Sequence, residues 1–254
     1  MPPLSVTIIT KNEASNIGRA LESIAWADDI VVVDCGSSDD TVGIARRYTE
    51  RVFVNEWPGY SAQKNHAATL ARHEWILSID ADERVTPELG AEIRELLLVE
   101  PAARGYRIPR VTRYLGRWIR STDWYPDYQL RLYDRRSGGW PPRRVHESVR
   151  VSGRPGTLRH ELQHFAYRDL THHLQTMAVY TDLAAQQMRE DGRRVGLVGL
   201  VLHPPAAFLR NYLLRLGVTD GMPGLIVSLL NAYSVFLKLA RLWELQADAS
   251  AAAE

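Results

Sequence analysis

The sequence of 254 residues contains a single cysteine, Cys35, which excludes an internal disulfide framework and any metal site built from several cysteines. It also lacks an excess of charge of one sign, since 31 Lys and Arg residues balance 30 Asp and Glu residues and leave a formal net charge of +1. No overall field therefore draws the chain to nucleic acid, and an anionic ligand must be bound at a local site. Such cysteine usage is typical of a reducing compartment, so we expect a cytoplasmic protein.

Long apolar segments and export signals are absent as well. The N-terminus has neither the basic start nor the apolar run of a signal peptide. The longest charge-free stretches, 195–209 and 221–237, are shorter than the roughly 20 apolar residues that span a bilayer. We therefore expect no transmembrane helix. The composition, 45% hydrophobic and 24% charged, is that of a globular chain with a sizeable core.

Up to about residue 98, the sequence alternates short apolar runs with helix-like stretches. The pattern predicts strands over 5–10, 30–34, 51–55 and 75–79, and helices over 16–24, 41–48 and 61–71. A fourth helix is predicted to begin at Pro87, with Thr86 as its N-cap. This order predicts an α/β fold, a mainly parallel sheet with flanking helices, in which ligands bind at the carboxyl ends of the strands.

The remainder of the chain has a different texture. Residues 105–164 are loop-rich, with short strand-like pieces at 105–109 and 129–133, whereas helices are predicted over 170–191, around 205–216 and over 225–245. We therefore expect one domain over 1–165, with halves of about 1–100 and 101–165, and a C-terminal helical extension over 166–254.

The sharpest local motif is Ser-Ile-Asp-Ala-Asp-Glu at 78–83, directly after an apolar predicted strand. Alternate residues of an extended chain point to the same side, so Asp80 and Asp82 can present two carboxylates together. Mg²⁺ is commonly held by one or two carboxylates plus the oxygens of a bound diphosphate. The competing interpretation is that Asp82 and Glu83 are solvated turn residues and that Asp80 caps a neighbouring element.

Polar residues also follow two other predicted strands. Asp34 ends the second strand, and the hydroxyls and carboxylates of 37–41 can cap the next helix or bond a ligand's ribose or base. Capping is the more frequent role of such side chains at a helix start. The first strand ends in Thr-Lys-Asn-Glu at 10–13, so three polar strand ends point to one crevice.

Together these segments, 5–13, 32–41 and 79–83, resemble family 2 glycosyltransferases. The resemblance continues through 59–65, 127–133, 145–147, 217–221 and 238–244, and it looks like the branch that glucosylates inner-core heptose of lipopolysaccharide. It implies the GT-A fold, with a nucleotide-sugar half over 1–100 and an acceptor half over 101–165.

The resemblance further implies inverting transfer of a hexose from a UDP-sugar, with Asp80 and Asp82 at the diphosphate together with a Mg²⁺ or Mn²⁺ ion. Many members carry a second acidic residue after the Asp that ends strand two, and this chain has Cys35 at that position. The alternative contacts for the nucleotide base are then backbone groups or Lys64. The candidate donor-binding residues are Thr10, Asn12, Glu13, Asp34, Ser37, Asp39, Lys64, Asp80 and Arg131.

An inverting displacement also needs a base to take the acceptor's hydroxyl proton. Glu147 is the candidate, because it follows His146 in a loop rich in Pro and Gly that suits the wall of an acceptor site. The alternatives are that Glu147 pairs with Arg143 or Arg144 at the surface, and that Asp127 is the base.

Further side chains are candidates for contacts with the metal or with phosphate. His146 and His164 are candidates to complete the metal site, although a single histidine is more often structural. Lys64, Arg131 and Arg144 are candidates for the diphosphate or an acceptor phosphate.

The C-terminal segment carries apolar residues from 197 to 216 with Arg210 and Arg215 among them, a strip that suits the surface of an anionic bilayer. Packing on the sheet domain or on a second copy in a homodimer explains the same pattern. The resemblance implies a lipid-linked acceptor, so we expect residues 196–245 to contact the inner face of the inner membrane. The carboxylates before residue 85 and the arginines after residue 104 thus predict two separate sites, a cation with diphosphate and an anionic acceptor with membrane.

Three alternatives remain open. The same chemistry can act on a polyprenyl phosphate or another envelope glycan, and a sugar-nucleotide-binding module without activity would share the fold. A nucleotidyltransferase is disfavoured, because residues 10–13 lack the glycine of a triphosphate-binding loop.

Overall fold

The structure is a computed structural model that describes residues 2–142 and 148–251, with side chains up to residue 248. The chain forms two compact units. The first comprises Met1–Val111 and Asp127–Phe165, and the second comprises Thr112–Pro126 and Ala166–Glu254. Residues 112–126, which we assigned to the acceptor half, thus belong with the C-terminal helices.

The strands lie mainly in the first unit. In chain order the strands are β1 (Leu4–Thr10), β2 (Asp29–Asp34), β3 (Val52–Val54), β4 (Trp75–Asp80), β5 (Glu83–Val85), β6 (Gly105–Tyr114), β7 (Arg117–Ile119), β8 (Asp127–Asp134), β9 (Gly138–Gly139), β10 (Arg150–Val151), β11 (Gly156–Thr157) and β12 (Leu162–His164). β7 lies in the second unit, and β6 ends there.

Helices cover the sheet and form the C-terminal part. The α-helices are α1 (Ile17–Ser23), α2 (Thr41–Ala45), α3 (Tyr60–Leu70), α4 (Pro87–Leu98), α5 (Leu170–Glu190), α6 (Leu197–Leu209) and α7 (Gly221–Ala251). Short 3₁₀ turns lie at Thr122–Trp124 and Gly217–Asp220, and a π-helical turn at Arg210–Leu214.

The sheet is mixed, with the strand order β3-β2-β1-β4-β8-β6-β12-β5. The half formed by β3, β2, β1 and β4 is parallel, as predicted, and β8 begins an antiparallel half. In the parallel half Thr10 lies opposite Asp34, and Ile9 lies opposite Asp80. The ends of three strands therefore meet at one edge, within one residue of each other.

The core explains why these segments fold as they do. Val6, Ile8, Leu77 and Ile79 of the central strands are fully buried, and Thr7 and Ser78 on the opposite faces are buried too, so β1 and β4 are covered on both sides. On α4 the buried residues Leu89, Ile93 and Leu97 recur every four positions. Burial of each such side chain contributes about 1.5–3 kcal/mol, which fixes both layers around the strand ends. The predicted cap of α4 is confirmed, since Thr86 accepts a hydrogen bond from the Leu89 amide at 3.2 Å.

The second unit is held by buried polar and aromatic groups. The buried carboxylate of Asp220 accepts hydrogen bonds from Ser121 Oγ at 2.6 Å and from the Arg120 amide at 3.0 Å. Tyr114 donates to or accepts from His173 Nδ1 at 2.8 Å, and the Tyr167 ring stacks on His173 with 4.1 Å between centroids. Burial lowers the pKa of His173 to about 4, so this imidazole is neutral at pH 7. These bonds tie 112–126 to the helices.

One expectation about the C-terminal helices is wrong. The sequence predicts a helix around 205–216, but α6 begins at Leu197 and passes through Pro204 and Pro205. The expectation of no membrane-spanning helix stays a prediction. By length and composition alone, the helical stretch Gly217–Asp248 is long and apolar enough to cross a membrane, and 22% of its most apolar window is buried. Counting charge-free runs missed it, because the helix continues past Lys238.

Candidate active site

The polar residues that follow β1 and β2 bind each other and form one rim. The Asn12 amide donates to Ser37 Oγ at 2.8 Å, and Asn12 Oδ1 accepts from the Ser38 amide at 2.8 Å. Asp39 Oδ2 accepts from the Ala14 amide at 3.1 Å. Asp40 stands at the N-cap of α2 without a side-chain cap bond. Asp39 Oδ1 also accepts from the amide of Thr41, the first residue of α2, at 3.1 Å, so this side chain caps the helix start as well as joining the two loops.

Asp34 is buried and holds the turn that follows it. Its carboxylate accepts hydrogen bonds from the amides of Gly36 at 2.9 Å and Ser37 at 2.8 Å, and from Ser37 Oγ. Gly36 has φ 78°, a conformation that glycine adopts without strain. The Asp34 carboxylate thus fixes the rim of the crevice beside β1.

Asp80, at the end of β4, lies between two cations. Its Oδ1 is 3.0 Å from Lys64 Nζ, and its Oδ2 is 2.6 Å from an Arg131 guanidinium nitrogen. Burial alone would raise the pKa of Asp80, but the charges of Arg131 and Lys64 outweigh that effect and hold the pKa well below its usual range. Both side chains that we expect at the diphosphate thus also neutralise this carboxylate.

Glu83 connects this cluster to the antiparallel half of the sheet. Its side chain is fully buried, so the interpretation as a solvated turn residue is wrong. Glu83 Oε2 accepts from the Asp80 amide at 2.9 Å, while Oε1 accepts from Arg131 at 2.7 Å and from Arg110 at 2.9 Å. One carboxylate thereby joins the end of β4 to β6 and β8.

Asp127 pairs with Arg110 across β6 and β8. Asp127 Oδ2 accepts from two Arg110 nitrogens at 2.9 and 2.7 Å, and Oδ1 accepts from Gln129 at 2.6 Å. Both carboxylate oxygens of Asp127, the alternative candidate for the catalytic base, thus accept hydrogen bonds from side chains of the first unit.

Asp82 lies in the turn between β4 and β5, not on an extended strand as the spacing argument assumed. His164 Nε2 is 3.4 Å from Asp82 Oδ2, because β12 pairs with β5 and sets His164 opposite Glu83. Burial raises the pKa of Asp82, but His164 outweighs it and lowers the pKa. The charge of Asp80 also acts on Asp82, so the two carboxylates are neighbours despite the turn.

The donor set fits a hard divalent cation shared with a ligand rather than enclosed by protein. Among residues 2–142 and 148–248, no group of three or more His, Cys, Asp or Glu side chains has metal-binding geometry. Two buried polar atoms beside the cluster, Thr10 Oγ1 and Arg131 Nε, have no hydrogen-bond partner within the described part of the chain. Oxygens of a bound diphosphate can satisfy such donors while sharing a cation with Asp82.

Four residues predicted from the sequence lie outside the described residues, namely Arg143, Arg144, His146 and Glu147. Their assignments stay predictions.

Comparison with known proteins identifies the fold that carries this site. Residues 5–152 match the model of glycosyl transferase family 2. The chain belongs to glycosyltransferase family 2. The predicted family, enzyme class and GT-A fold class are thereby confirmed, since the family match covers the parallel sheet and the strand ends.

This glycosyltransferase has relatives along almost its whole length. It is 31% identical over 249 residues to the lipopolysaccharide core biosynthesis glycosyltransferase LpsC of Rhizobium meliloti (strain 1021), covering 95% of this chain and 92% of that protein. It is 30% identical to a glycosyltransferase of Rickettsia typhi over 96% of this chain and 88% of the relative. A glucosyl-3-phosphoglycerate synthase from Mycobacterium tuberculosis, solved with Mg²⁺ and UDP, is similar over 44% of each chain with 21% identity and a TM-score of 0.38.

Sequence reasoning missed Arg110 in the glycosyltransferase's charge cluster and considered Glu83 only as a solvated turn residue. His164 was a candidate, but its partner Asp82 was not identified. Strand pairing with β5 and β8 determines the partners of Arg110, Glu83 and His164. In the sequence, only the acidic run at 80–83 indicated such a cluster.

We predict that the stability of the Arg131→Gln variant depends on pH. A carboxylate whose pKa is lowered in the folded state contributes stability above its ordinary pKa of 3.8 and loses that contribution as the pH falls. Removing Arg131 should therefore lower the free energy of unfolding by about 3–5 kcal/mol at pH 7, and by progressively less below pH 4. Urea denaturation at pH 7, 5, 4 and 3 measures this.

The matched control is Arg47→Gln, because Arg47 pairs with Asp40 at 4.0 Å while both side chains are about two-thirds exposed or more. That change should stay within about 0.5 kcal/mol at every pH. An equal loss for Arg131→Gln at pH 7 and pH 3 would contradict the charge pairing.

Proposed function

We propose that this glycosyltransferase moves a hexose, namely glucose, from a UDP-sugar to a heptose of the lipopolysaccharide inner core, with inversion at the transferred carbon. The observation that carries the proposal is the cluster at the ends of β1, β2 and β4, where Asp80, Lys64 and Arg131 meet beside Asp82. The similarity to LpsC along 95% of the chain supports the lipopolysaccharide core as the acceptor.

Mg²⁺ or Mn²⁺ is the expected cofactor, and Asp82 with His164 would hold it beside Asp80. Bound there, the ion supplies positive charge at the diphosphate leaving group. The formal charges of the cluster favour binding of a cation, because four carboxylates face three permanent cations. The carboxylates are those of Asp80, Asp82, Glu83 and Asp127, and the cations are Lys64, Arg110 and Arg131. A diphosphate alone would add negative charge to a cluster already negative by one formal charge.

Lys64 and Arg131 act on the donor as well as on Asp80. Lys64 Nζ lies 4.6 Å from the centre of the Trp140 ring, and this buried contact keeps the ammonium beside the crevice. In this proposal Lys64 and Arg131 would also supply positive charge to the diphosphate. In this proposal the nucleotide-facing rim consists of Thr10, Asn12, Glu13, Asp34, Ser37 and Asp39.

Glu147 is the proposed base, preceded by His146. The occupancy of both Asp127 oxygens by Arg110 and Gln129 favours Glu147 over Asp127, since a base needs an oxygen directed at the acceptor hydroxyl.

The acceptor is lipid-linked in this proposal, and the second unit supports contact with an anionic membrane on the cytoplasmic side. Its helices expose large apolar side chains, including Leu197 at 75% and Leu214 at 79%. Arg210 and Arg215 lie in the same segment. Such a surface combines apolar burial with attraction to anionic lipids. A polyprenyl phosphate acceptor in the same membrane is the second candidate, because that phosphate would also attract these arginines.

We predict that transfer from UDP-glucose requires a divalent cation and Asp82. EDTA should abolish turnover, Mg²⁺ or Mn²⁺ should restore it, and Asp82→Asn should lower it about 10²–10³-fold, as removal of one electrostatic contact to a leaving group does. His164→Asn should weaken the cation's activation constant about 10–100-fold. The donors to compare are UDP-glucose, UDP-galactose, UDP-N-acetylglucosamine and a GDP-sugar.

Asp134→Asn is the matched control, because Asp134 is a buried carboxylate paired with Arg136 in the same unit. It should leave the cation requirement unchanged. Full turnover of Asp82→Asn in EDTA would refute the metal-dependent mechanism.

We further predict that Glu147→Gln abolishes transfer to heptose-bearing lipopolysaccharide while UDP binding persists, because only the proton acceptor is lost. Asp127→Asn should weaken donor binding through Arg110 instead. Isothermal titration with UDP and a transfer assay with heptose-bearing and heptose-free lipopolysaccharide separate the two effects. The base would be Asp127 if Glu147→Gln retains transfer while Asp127→Asn loses transfer but still binds UDP.

Flotation with anionic vesicles tests the membrane contact. The wild type should float with vesicles containing phosphatidylglycerol, and the double variant Leu197→Ser/Leu214→Ser should stay in the dense fraction. Leu98→Ser/Val99→Ser is the control, since those side chains of the first unit are 66% and 64% exposed. Equal flotation of all three proteins would overturn the assignment of this surface.

A further inference from the structure

The loop between β3 and α3 carries a pair of exposed aromatic side chains that the proposed chemistry has not used. Trp57 is 45% exposed and Tyr60 is 37% exposed. Their rings meet edge to face, with 4.7 Å between centroids and an angle of 87° between planes. Such a pair leaves part of its apolar ring surface in water, which a flat ligand can cover.

The loop is anchored at both ends to the end of β2. The Asn55 amide donates to the carbonyl oxygen of Asp34 at 2.9 Å, and Asn55 Nδ2 donates to Gln63 Oε1 at 2.7 Å. Gln63 Nε2 in turn lies 3.2 Å from Cys35 Sγ. The aromatic pair stands between these anchors, which fix it beside Asp34 and Cys35.

The turn into α3 determines where the second ring of the pair stands. Gly59 has φ 101°, which favours glycine, and its carbonyl oxygen accepts from the Gln63 amide at 2.9 Å. Tyr60 is therefore the first residue of α3 and sits next to Trp57 at the same edge of the sheet.

The position along the sheet edge indicates which part of a nucleotide sugar would meet this pair. The order β3-β2-β1-β4 puts the end of β3 three strands from Asp80, about 14 Å away at about 4.8 Å per strand. The diphosphate lies at the β4 end in the proposed function. The nucleoside must then extend along the edge towards β2 and β3, where the aromatic pair stands.

Two of the side chains predicted from the sequence to contact the base also bind partners within the protein. The Asp34 carboxylate holds its own turn, and Lys64 is bound to Asp80. Cys35 occupies the position of the second acidic residue, and burial raises the pKa of its thiol, so it brings no negative charge to a base.

We propose that Trp57 and Tyr60 form a stacking platform for the pyrimidine base of the donor nucleotide. This inference rests on the proposed function, because it needs a nucleotide sugar at the strand ends. Stacking uses the π-face of the base, so it holds the base without the carboxylate that Cys35 replaces.

The test compares UDP with inorganic pyrophosphate in titrations of the full chain with Mn²⁺. Trp57→Ala should weaken UDP binding about 5- to 140-fold, the loss that removal of a base–aromatic stack causes, and leave pyrophosphate binding unchanged. Trp57→Phe should restore most of the UDP affinity. Tyr48→Ala is the matched control, because Tyr48 is also 45% exposed but follows α2 and lies near Gly18.

The outcomes separate this inference from the proposed function. A wild type that binds neither UDP nor pyrophosphate would overturn the proposed function itself. If the wild type binds UDP and Trp57→Ala binds it equally well, the platform is wrong. It is also wrong if Trp57→Ala raises only the KM of the lipopolysaccharide acceptor, because the pair would then contact the acceptor sugar.

Discussion

The site depends on one buried carboxylate. Glu83 has no contact with water, and an isolated ionised group in that position would be very costly. Its bonds to Arg110, Arg131 and the Asp80 amide remove that cost and at the same time connect β4, β6 and β8. The polar edge of the sheet is rigid because these bonds must all form together.

The same constraint explains why the division of charge predicted from the sequence is wrong. We expected the arginines beyond residue 104 to serve an acceptor and a membrane, separately from the early carboxylates. Arg110 and Arg131 instead return to Glu83 and Asp80, so most of the charge at the site is neutralised within the protein. What remains is one formal negative charge, to which a diphosphate alone would add, whereas a divalent cation bound with the diphosphate would offset the diphosphate's own charge.

The parallel half of the sheet could be predicted because its strands are continuous apolar runs bounded by turns, and because parallel strands end at a common edge. The antiparallel half could not. A period of two assigns a residue to a face of a strand, but it does not say which strand pairs with which or in what register. The pairing of β12 with β5, which brings His164 to Asp82, is of this kind. Glu83 was misjudged for the same reason, since its partners come from strands far along the chain.

Polar atoms without partners indicate how the edge is completed. Thr10 Oγ1 ends the most central strand of the parallel half, and Arg131 Nε lies beside the Asp80 pair, both buried without a partner in the described part of the chain. Each such atom costs about 1–3 kcal/mol unless a ligand or water satisfies it. Both can donate to oxygen, and they flank the carboxylates at the strand ends. In the proposed function, the oxygens of a diphosphate bound together with its divalent cation would accept hydrogen bonds from both donors.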